Sequence, residues 1–404
     1  MTELTLGEFT RVLDYLIDNN RRLIESGDTP ISVCLEGEAG LGKTAVVQQL
    51  AQSKGMTFAK VNLAQIEEPA ELVGFPYKEY KIVVNGEDRW VSSDLLEHMN
   101  CQDYTMTNES RMSYAVPAWV PREFNPNGTM LVLDDFSRAN NMIIQAVMEI
   151  INTGAYISWQ LPKYTNIVLT SNPDNGSYTV TGLDDAVKSR MITFNGKFDI
   201  QEWARWAEMF GIDGRAINFA ILYSTELFEP KNNVILANAR NYTTFCRAIG
   251  GIRDWAEEDS LARILEIASG CFLQKDNVIG ALFTQFINNR LDKLISPKRM
   301  LTGNWDAVSL ELQACVYQGP QYRADIANIL ATRFMNYCDK YLGKDEAPSA
   351  RVMERIDLFV QAAQGGQQLF SNDILYNVIK TLCHNHKTMT NRWYMNKNIR
   401  DIAL

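Results

Sequence analysis

The sequence has little of what several large protein classes need. Its seven cysteines, at 34, 101, 246, 271, 315, 338 and 383, are scattered and odd in number, with no C-x-x-C pair. That argues against a disulfide framework and for reduced thiols in a cytoplasmic protein. No apolar stretch approaches the ~20 residues that span a bilayer. The opening Met1-Thr2-Glu3-Leu4 lacks the basic-then-apolar run of a secretory leader. No membrane partner is expected. Positive charge is not in excess either. The chain has 39 Lys and Arg against 48 Asp and Glu, a net charge of −9 and a pI of about 5.1. This disfavours nucleic-acid binding by bulk electrostatics and leaves only a local basic surface open to it. Internal repeats and low-complexity tracts are absent. What is present is ordinary: 404 residues, 46% hydrophobic and 22% charged, enough for two or three globular domains.

Against that background one stretch stands out. The apolar run from Ile31 to Leu35 leads into Gly37-Glu38-Ala39-Gly40-Leu41-Gly42-Lys43-Thr44, followed by a helix-like segment from Ala45 to Leu50. This is G-x-x-x-x-G-K-T between a strand and a helix, the context that a phosphate-binding loop requires. A random chain of this length would carry the pattern about once in a hundred. Glycines let backbone N–H groups turn toward phosphate oxygens, and the helix start adds a positive dipole end. Lys43 is placed to reach the β/γ-phosphates and the Thr44 hydroxyl to hold Mg²⁺.

Three further signals suit nucleotide hydrolysis. The apolar run Met130–Leu133 closes on Asp134-Asp135. Asp134 suits a metal and its water shell, and Asp135 suits the attacking water. The same pair would also serve as a strand-end turn or helix cap. Asn172 follows the apolar strand 166–170, at the strand end where parallel sheets hold their ligands. It could orient the water, or simply belong to a Ser-Asn-Pro turn. Arg190, before the strand 191–194, and Arg240, at the start of a later helix, could each stabilise charge on a transferring phosphoryl group. Strands alternating with helices up to residue 200 predict a parallel α/β sheet. Within it, Asn85-Gly86 predicts a hairpin between 80–84 and 87–91. Residues 92–128 read as irregular, and 156–161 and 166–170 as two strands. Residues 5–26 read as an amphipathic helix. Beyond residue 200 strand signals vanish, and nine helices are expected, near 199–210, 214–227, 239–254, 257–270, 275–293, 305–316, 322–341, 349–364 and 371–382.

In family order these pieces resemble the AAA+ ATPases, specifically the MoxR-like, dynein-related branch. Gly37–Thr44 resembles Walker A, Leu131–Ala139 Walker B, and Thr170–Pro173 sensor 1. Ala70–Gly74 resembles that branch's Asp-Leu-hydrophobic-Gly segment. Leu183–Met191 resembles its arginine-finger segment, and Ala237–Tyr242 its sensor 2. The hairpin at 80–91 lies where the branch carries its helix-2 insert, and the strand pair at 156–170 where it carries its pre-sensor-1 hairpin. The resemblance covers residues 30–295.

It implies a three-layer αβα core over 1–198, with an insert at about 75–120, and an all-helical lid over 199–298; beyond it, helical periodicity without a recognisable motif reads as a C-terminal helical accessory domain over 299–404. The resemblance also implies ATP and Mg²⁺ as cofactors, a hexameric ring, Arg190 acting in trans and Arg240 in cis. The implied partner is a protein client remodelled in chaperone fashion, with a von Willebrand factor A domain protein among the candidates. Three residues depart from the family pattern: Asp135 stands for Glu, Met191 for Phe and Ala239 for Pro. The shorter Asp135 leaves room for a slow, switch-like ATPase, and related branches include nucleic-acid motors and loaders. In the tail, Lys387, Arg392, Trp393, Tyr394, Lys397 and Arg400 mix basic and aromatic residues, open to docking, solvation or nucleic-acid contact. Cys383-His384-Asn385-His386 makes a poor metal site.

Overall fold

Strands with apolar side chains on both faces need cover on both sides, and the first unit supplies it. In the computed structural model, which describes residues 3–100, 102–173, 185–230, 235–272, 278–342, 349–364, 367–396 and 399, the chain divides into Met1–Lys197 and Phe198–Leu404.

The first unit opens with β1 (Glu3–Thr5), α1 (Leu6–Ser26), β2 (Ser32–Gly37), α2 (Lys43–Ser53), β3 (Thr57–Asn62) and α3 (Pro69–Val73). There follow β4 (Pro76–Val84), β5 (Glu87–Ser92), α4 (Ser93–His98), β6 (Thr105–Tyr114), β7 (Thr129–Asp134) and α5 (Asn141–Thr153). The unit closes with β8 (Ala155–Tyr156), β9 (Trp159–Gln160), β10 (Thr165–Ser171), α6 (Asp185–Lys188) and β11 (Met191–Lys197). Six strands make one parallel sheet in the order β1-β11-β2-β10-β7-β3. Alternation sorts its residues. Val33, Leu35, Met130, Val132 and Val168 pack with Phe9 and Leu13 of α1 and Val47 and Leu50 of α2. Leu131, Leu133, Ile167 and Leu169 pack with Leu72 of α3 and Ile143 and Val147 of α5. The result is the expected helix–sheet–helix core.

The sequence reading fails in two places within this unit. Residues 92–128 are not irregular throughout, because α4 and β6 lie there. β6 pairs antiparallel with β4, giving a three-stranded sheet in the order β5-β4-β6 outside the main one. Most of its side chains are exposed and polar, so it carries no apolar period to read. The region 156–170 is also not one strand pair. Residues 155–160 are a tight hairpin by themselves, while β10 is an interior strand of the main sheet.

The inserted sheet leaves the core at Gly74, whose φ is +90° and where a Cβ would sit 1.8 Å from the Ala115 carbonyl oxygen. Only glycine fits so close to a backbone. Two indoles brace this exit. Trp119 donates to Leu72 O at 2.9 Å and Trp159 to Val73 O at 2.8 Å, and their rings meet edge to face at 5.8 Å.

The second unit is helical, as expected: α7 (Ile200–Met209), α8 (Gly214–Leu222), α9 (Ser224–Phe228), α10 (Ala239–Ile249), α11 (Glu258–Phe272), α12 (Val278–Asn288), α13 (Pro297–Thr302) and α14 (Trp305–Val316). It continues through α15 (Ala324–Leu342), α16 (Ala350–Val360), α17 (Asn372–Asn385) and α18 (Lys387–Tyr394). Two minimal antiparallel strand pairs interrupt the helices, 317–318 with 321–322 and 363–364 with 367–368, too short for any sequence period to announce them. One hydrophobic cluster runs through this unit from Trp203 to Ile399. Its buried polar centre is Arg333, which donates to Glu208 Oε1 at 3.0 Å and Asn218 Oδ1 at 3.1 Å. In the tail, Trp393 is buried and donates to Asp357 at 2.7 Å, and Arg392 pairs with the same carboxylate. Lys397 and Arg400 lie outside the described residues. His386 hydrogen-bonds Asp339 at 2.7 Å. No helix among the described residues is long and apolar enough to cross a membrane.

Candidate phosphate and cation site

β2 ends at Gly37 and α2 begins at Lys43, so the glycine-rich loop lies at the carboxyl end of a parallel strand. Gly42, with φ +106°, precedes the helix and offers no side-chain cap to its first N–H groups. An uncapped helix start is a place for an anion. Lys43 is buried and folds back across the loop. Its Nζ donates to Gly37 O at 2.5 Å, Glu38 O at 3.1 Å and Asn172 Oδ1 at 3.1 Å.

Sheet register brings the remaining groups to the same edge. Asn62 lies level with Asp134, and Leu169 with Leu133. On the α2 face, Asp134 therefore meets residues from three other elements, α2, β10 and β3. Its Oδ1 accepts from Thr44 at 2.7 Å and from Thr170 at 2.5 Å, and its Oδ2 takes the Lys60 ammonium at 2.6 Å. Burial pushes the Asp134 carboxyl up, but the hydrogen bonds from Lys60, Thr170 and Thr44 outweigh it, and the net shift is down. Asp134 is thus a fixed anion.

Asp135, one residue on, has φ +56°, a left-handed conformation that Asp tolerates better than most residues. Its N–H donates to Thr170 Oγ1 at 3.2 Å, so one threonine hydroxyl ties the Asp134 carboxylate to the Asp135 backbone. The Asn172 amide Nδ2 lies 3.4 Å from Asp135 Oδ1 while its Oδ1 takes Lys43, which ties the loop lysine to the second carboxylate. Ser137 accepts from the Asn172 N–H at 3.1 Å and holds that strand end.

Lys43, Thr44, Asp134, Asp135 and Asn172 are therefore brought together. Arg190 is not among them. It is exposed beyond α6, and its Nη1 donates to Ala186 O. Leu183 and Asp184, the first part of its segment, lie outside the described residues. Arg240 is exposed in the first turn of α10, in the second unit.

Sequence reasoning missed Lys60 and gave Thr170 no role of its own. Only strand alternation read together with the register of β3 and β10 against β7 could have found them. Lys60 is two residues before the residue level with Asp134, and Thr170 is two before Asn172. Without the register, neither spacing has meaning.

The donor set fits a hard divalent cation. A carboxylate and hydroxyls are the oxygen ligands that Mg²⁺ takes, usually one or two from protein with the rest from phosphates and water. Lys60 already places a positive charge there. Among the described residues no cluster of three or more His, Cys, Asp or Glu could hold a metal by itself.

A parallel sheet with this loop at the end of an interior strand defines a phosphate-loop α/β module. Within it, residues 32–191 match the family of the AAA domain, dynein-related subfamily. Among curated proteins, a 64-residue segment is 38% identical to the Lon protease of Lachnoclostridium phytofermentans, covering 16% of this chain and 8% of that protein. The Lon protease of Fusobacterium nucleatum subsp. nucleatum is 36% identical over 64 residues, again 16% and 8%. The chain thus matches only a small fraction of the length of these relatives. Among solved structures, the Thermotoga maritima RuvB Holliday junction branch migration motor is 13% identical, with 78% of this chain and 92% of that chain covered and a TM-score of 0.34. A candidate ATPase of Cytophaga hutchinsonii is also 13% identical, over 93% and 95%, with a TM-score of 0.30.

Proposed function

We propose that this protein is a Mg²⁺-dependent ATPase of the MoxR-like kind that remodels or activates a protein partner. The observation that carries the hydrolytic part is the bond network running from Lys43 through Asn172 to Asp135, with Asp134 fixed beside Thr44. In this reading the loop from Gly37 to Thr44, including Glu38, Ala39, Gly40, Leu41 and Gly42, wraps the phosphates. Lys43 leaves its loop carbonyls for phosphate oxygens. Thr44 and Asp134 hold the cation, which when bound offsets charge on the phosphates. Asp135 takes a proton from the attacking water, and Asn172 orients both. The network supports this division because Asn172 contacts the cationic and the carboxylate side at once.

Arg190 is exposed at the unit's surface, as a residue that enters a neighbour's site would have to be. We assign it that role in a homo-oligomeric ring, and assign Arg240, acting in cis, to the phosphates of its own chain's nucleotide from a lid formed by residues 199–298. The sheet β5-β4-β6 and the hairpin β8-β9 are then the elements that meet the client. The end of β6 meets the turn of that hairpin, where Ser158 Oγ accepts from Tyr114 N at 2.7 Å and donates to Tyr114 O at 3.1 Å.

One observation favours a second reading, the slow nucleotide switch. Asp135 is a residue type with a short side chain, and its left-handed backbone suits Asp better than Glu. Comparing turnover of the wild type and Asp135→Glu separates the two. A large rise marks a switch built on a deliberately short base, and a fall marks an ATPase already tuned to Asp.

A further inference from the structure

Outside the loop itself, an ion pair in the site joins Lys60 to Asp134. Lys60 projects from β3, at the edge of the sheet, and neither the phosphate loop nor the two-carboxylate motif calls for it. Its Nζ lies 2.6 Å from Asp134 Oδ2, while Oδ1 is already taken by the hydroxyls of Thr44 and Thr170. The two partners differ in freedom. The Asp134 side chain is 13% exposed and tied on two sides, whereas the Lys60 side chain is 41% exposed on a flexible stem. A lysine is a compact point charge that can swing off to water, unlike the rigid fork of an arginine. Asp134 is also the carboxylate assigned above to the divalent cation, so ammonium and metal need the same group.

We infer that Lys60 is a built-in counter-cation: it neutralises Asp134 when no divalent ion is bound, yields to that ion when it arrives, and so sets how strongly nucleotide binding depends on Mg²⁺. This rests on the phosphate-loop reading and goes beyond it. The physical argument has two arms. Without metal, an unneutralised Asp134 would repel incoming phosphate, and Lys60 removes that repulsion. With metal, Lys60 competes for the carboxylate and weakens the advantage that the metal confers. Both arms reduce the coupling between Mg²⁺ and nucleotide, which linkage requires to be reciprocal.

The test is equilibrium binding of ADP to the full chain, in buffer with Mg²⁺ and in buffer with EDTA at matched ionic strength. The readout is the ratio of the two dissociation constants, and no turnover is involved. Lys60→Met keeps the stem and a strand-compatible residue at an exposed position. It is expected to raise the ratio about tenfold over wild type, by weakening binding in EDTA and tightening it in Mg²⁺. Lys60→Arg, which keeps the charge, should stay within about threefold of wild type. Lys54→Met, at a lysine that pairs instead with Asp14 and Asp18, should leave the ratio unaltered. An unchanged ratio in Lys60→Met, or an equal rise in Lys60→Met and Lys60→Arg, overturns the inference and leaves the phosphate-loop reading standing. Failure of the wild type to bind ADP in either buffer overturns both.

Discussion

At the scale of single residues, the site is a set of charges held by short bonds, and each makes a separable prediction. Lys43 is satisfied by three oxygens without any ligand, so its side chain is already aimed across the loop. Charge-assisted hydrogen bonds contribute roughly 1.5–3 kcal/mol each. Lys43→Ala should therefore weaken nucleotide binding by about 100-fold, measurable by calorimetric titration. Asp135→Asn keeps the shape and removes the base, so affinity should hold while turnover falls by about 100-fold or more. Asp134 has its carboxyl held below its ordinary 3.8 by Lys60, Thr170 and Thr44, against the opposing pull of burial. A folded-state value below the unfolded one means stability that is present above about pH 4 and lost as pH falls through the folded value. Urea unfolding of wild type and Asp134→Asn should accordingly differ at pH 7 and converge progressively as pH falls below the ordinary carboxyl value of 3.8. A difference that grows on acidification would contradict this assignment.

At the scale of elements, the exit to the inserted sheet is the most constrained point. A methyl at Gly74 would overlap the Ala115 carbonyl at 1.8 Å, and the residue is left-handed as well. Gly74→Ala should lower stability by more than about 2 kcal/mol, seen as a lower thermal midpoint. Trp119→Phe loses the bond to Leu72 O and part of the indole's packing against Trp159, at a cost of about 1–2 kcal/mol. The elements also show what a sequence can and cannot announce. α1 was legible because Phe9, Leu13, Leu16 and Ile17 recur at helical spacing, and its reciprocal Thr5–Glu8 cap adds a start signal. β7 was legible as an apolar run because both its faces are covered. β6 was not, since a strand solvated on both faces has no period to read. The β8-β9 hairpin turns at Ile157 with φ +45°, where a β-branched residue gives no turn signal at all. In the site, the loop and the carboxylates stood out because each is contiguous in sequence. Lys60 and Thr170 did not, because only the register of β3 and β10 against β7 gives them their place.

At the scale of the whole molecule, each of the two units carries its own core, and the buried polar centre of the second is one ion pair. Arg333 and Glu208 have side chains 6% and 7% exposed. Breaking such a pair from one side costs about 3–5 kcal/mol, because the other charge is left buried and unpaired. Arg333→Met alone should be more destabilising than Arg333→Met with Glu208→Gln, a comparison that chemical denaturation can make. Function at this scale turns on whether several copies build each nucleotide site. The most direct measurement is steady-state ATP turnover, with particle mass recorded in the same buffer, for wild type, Lys43→Ala and Arg190→Ala. The account predicts that wild type forms a ring and hydrolyses ATP. Lys43→Ala loses binding and turnover together, while Arg190→Ala binds and assembles but does not turn over. Turnover in Lys43→Ala equal to wild type would contradict the phosphate-loop mechanism, and normal turnover by a monomeric Arg190→Ala would contradict the shared site.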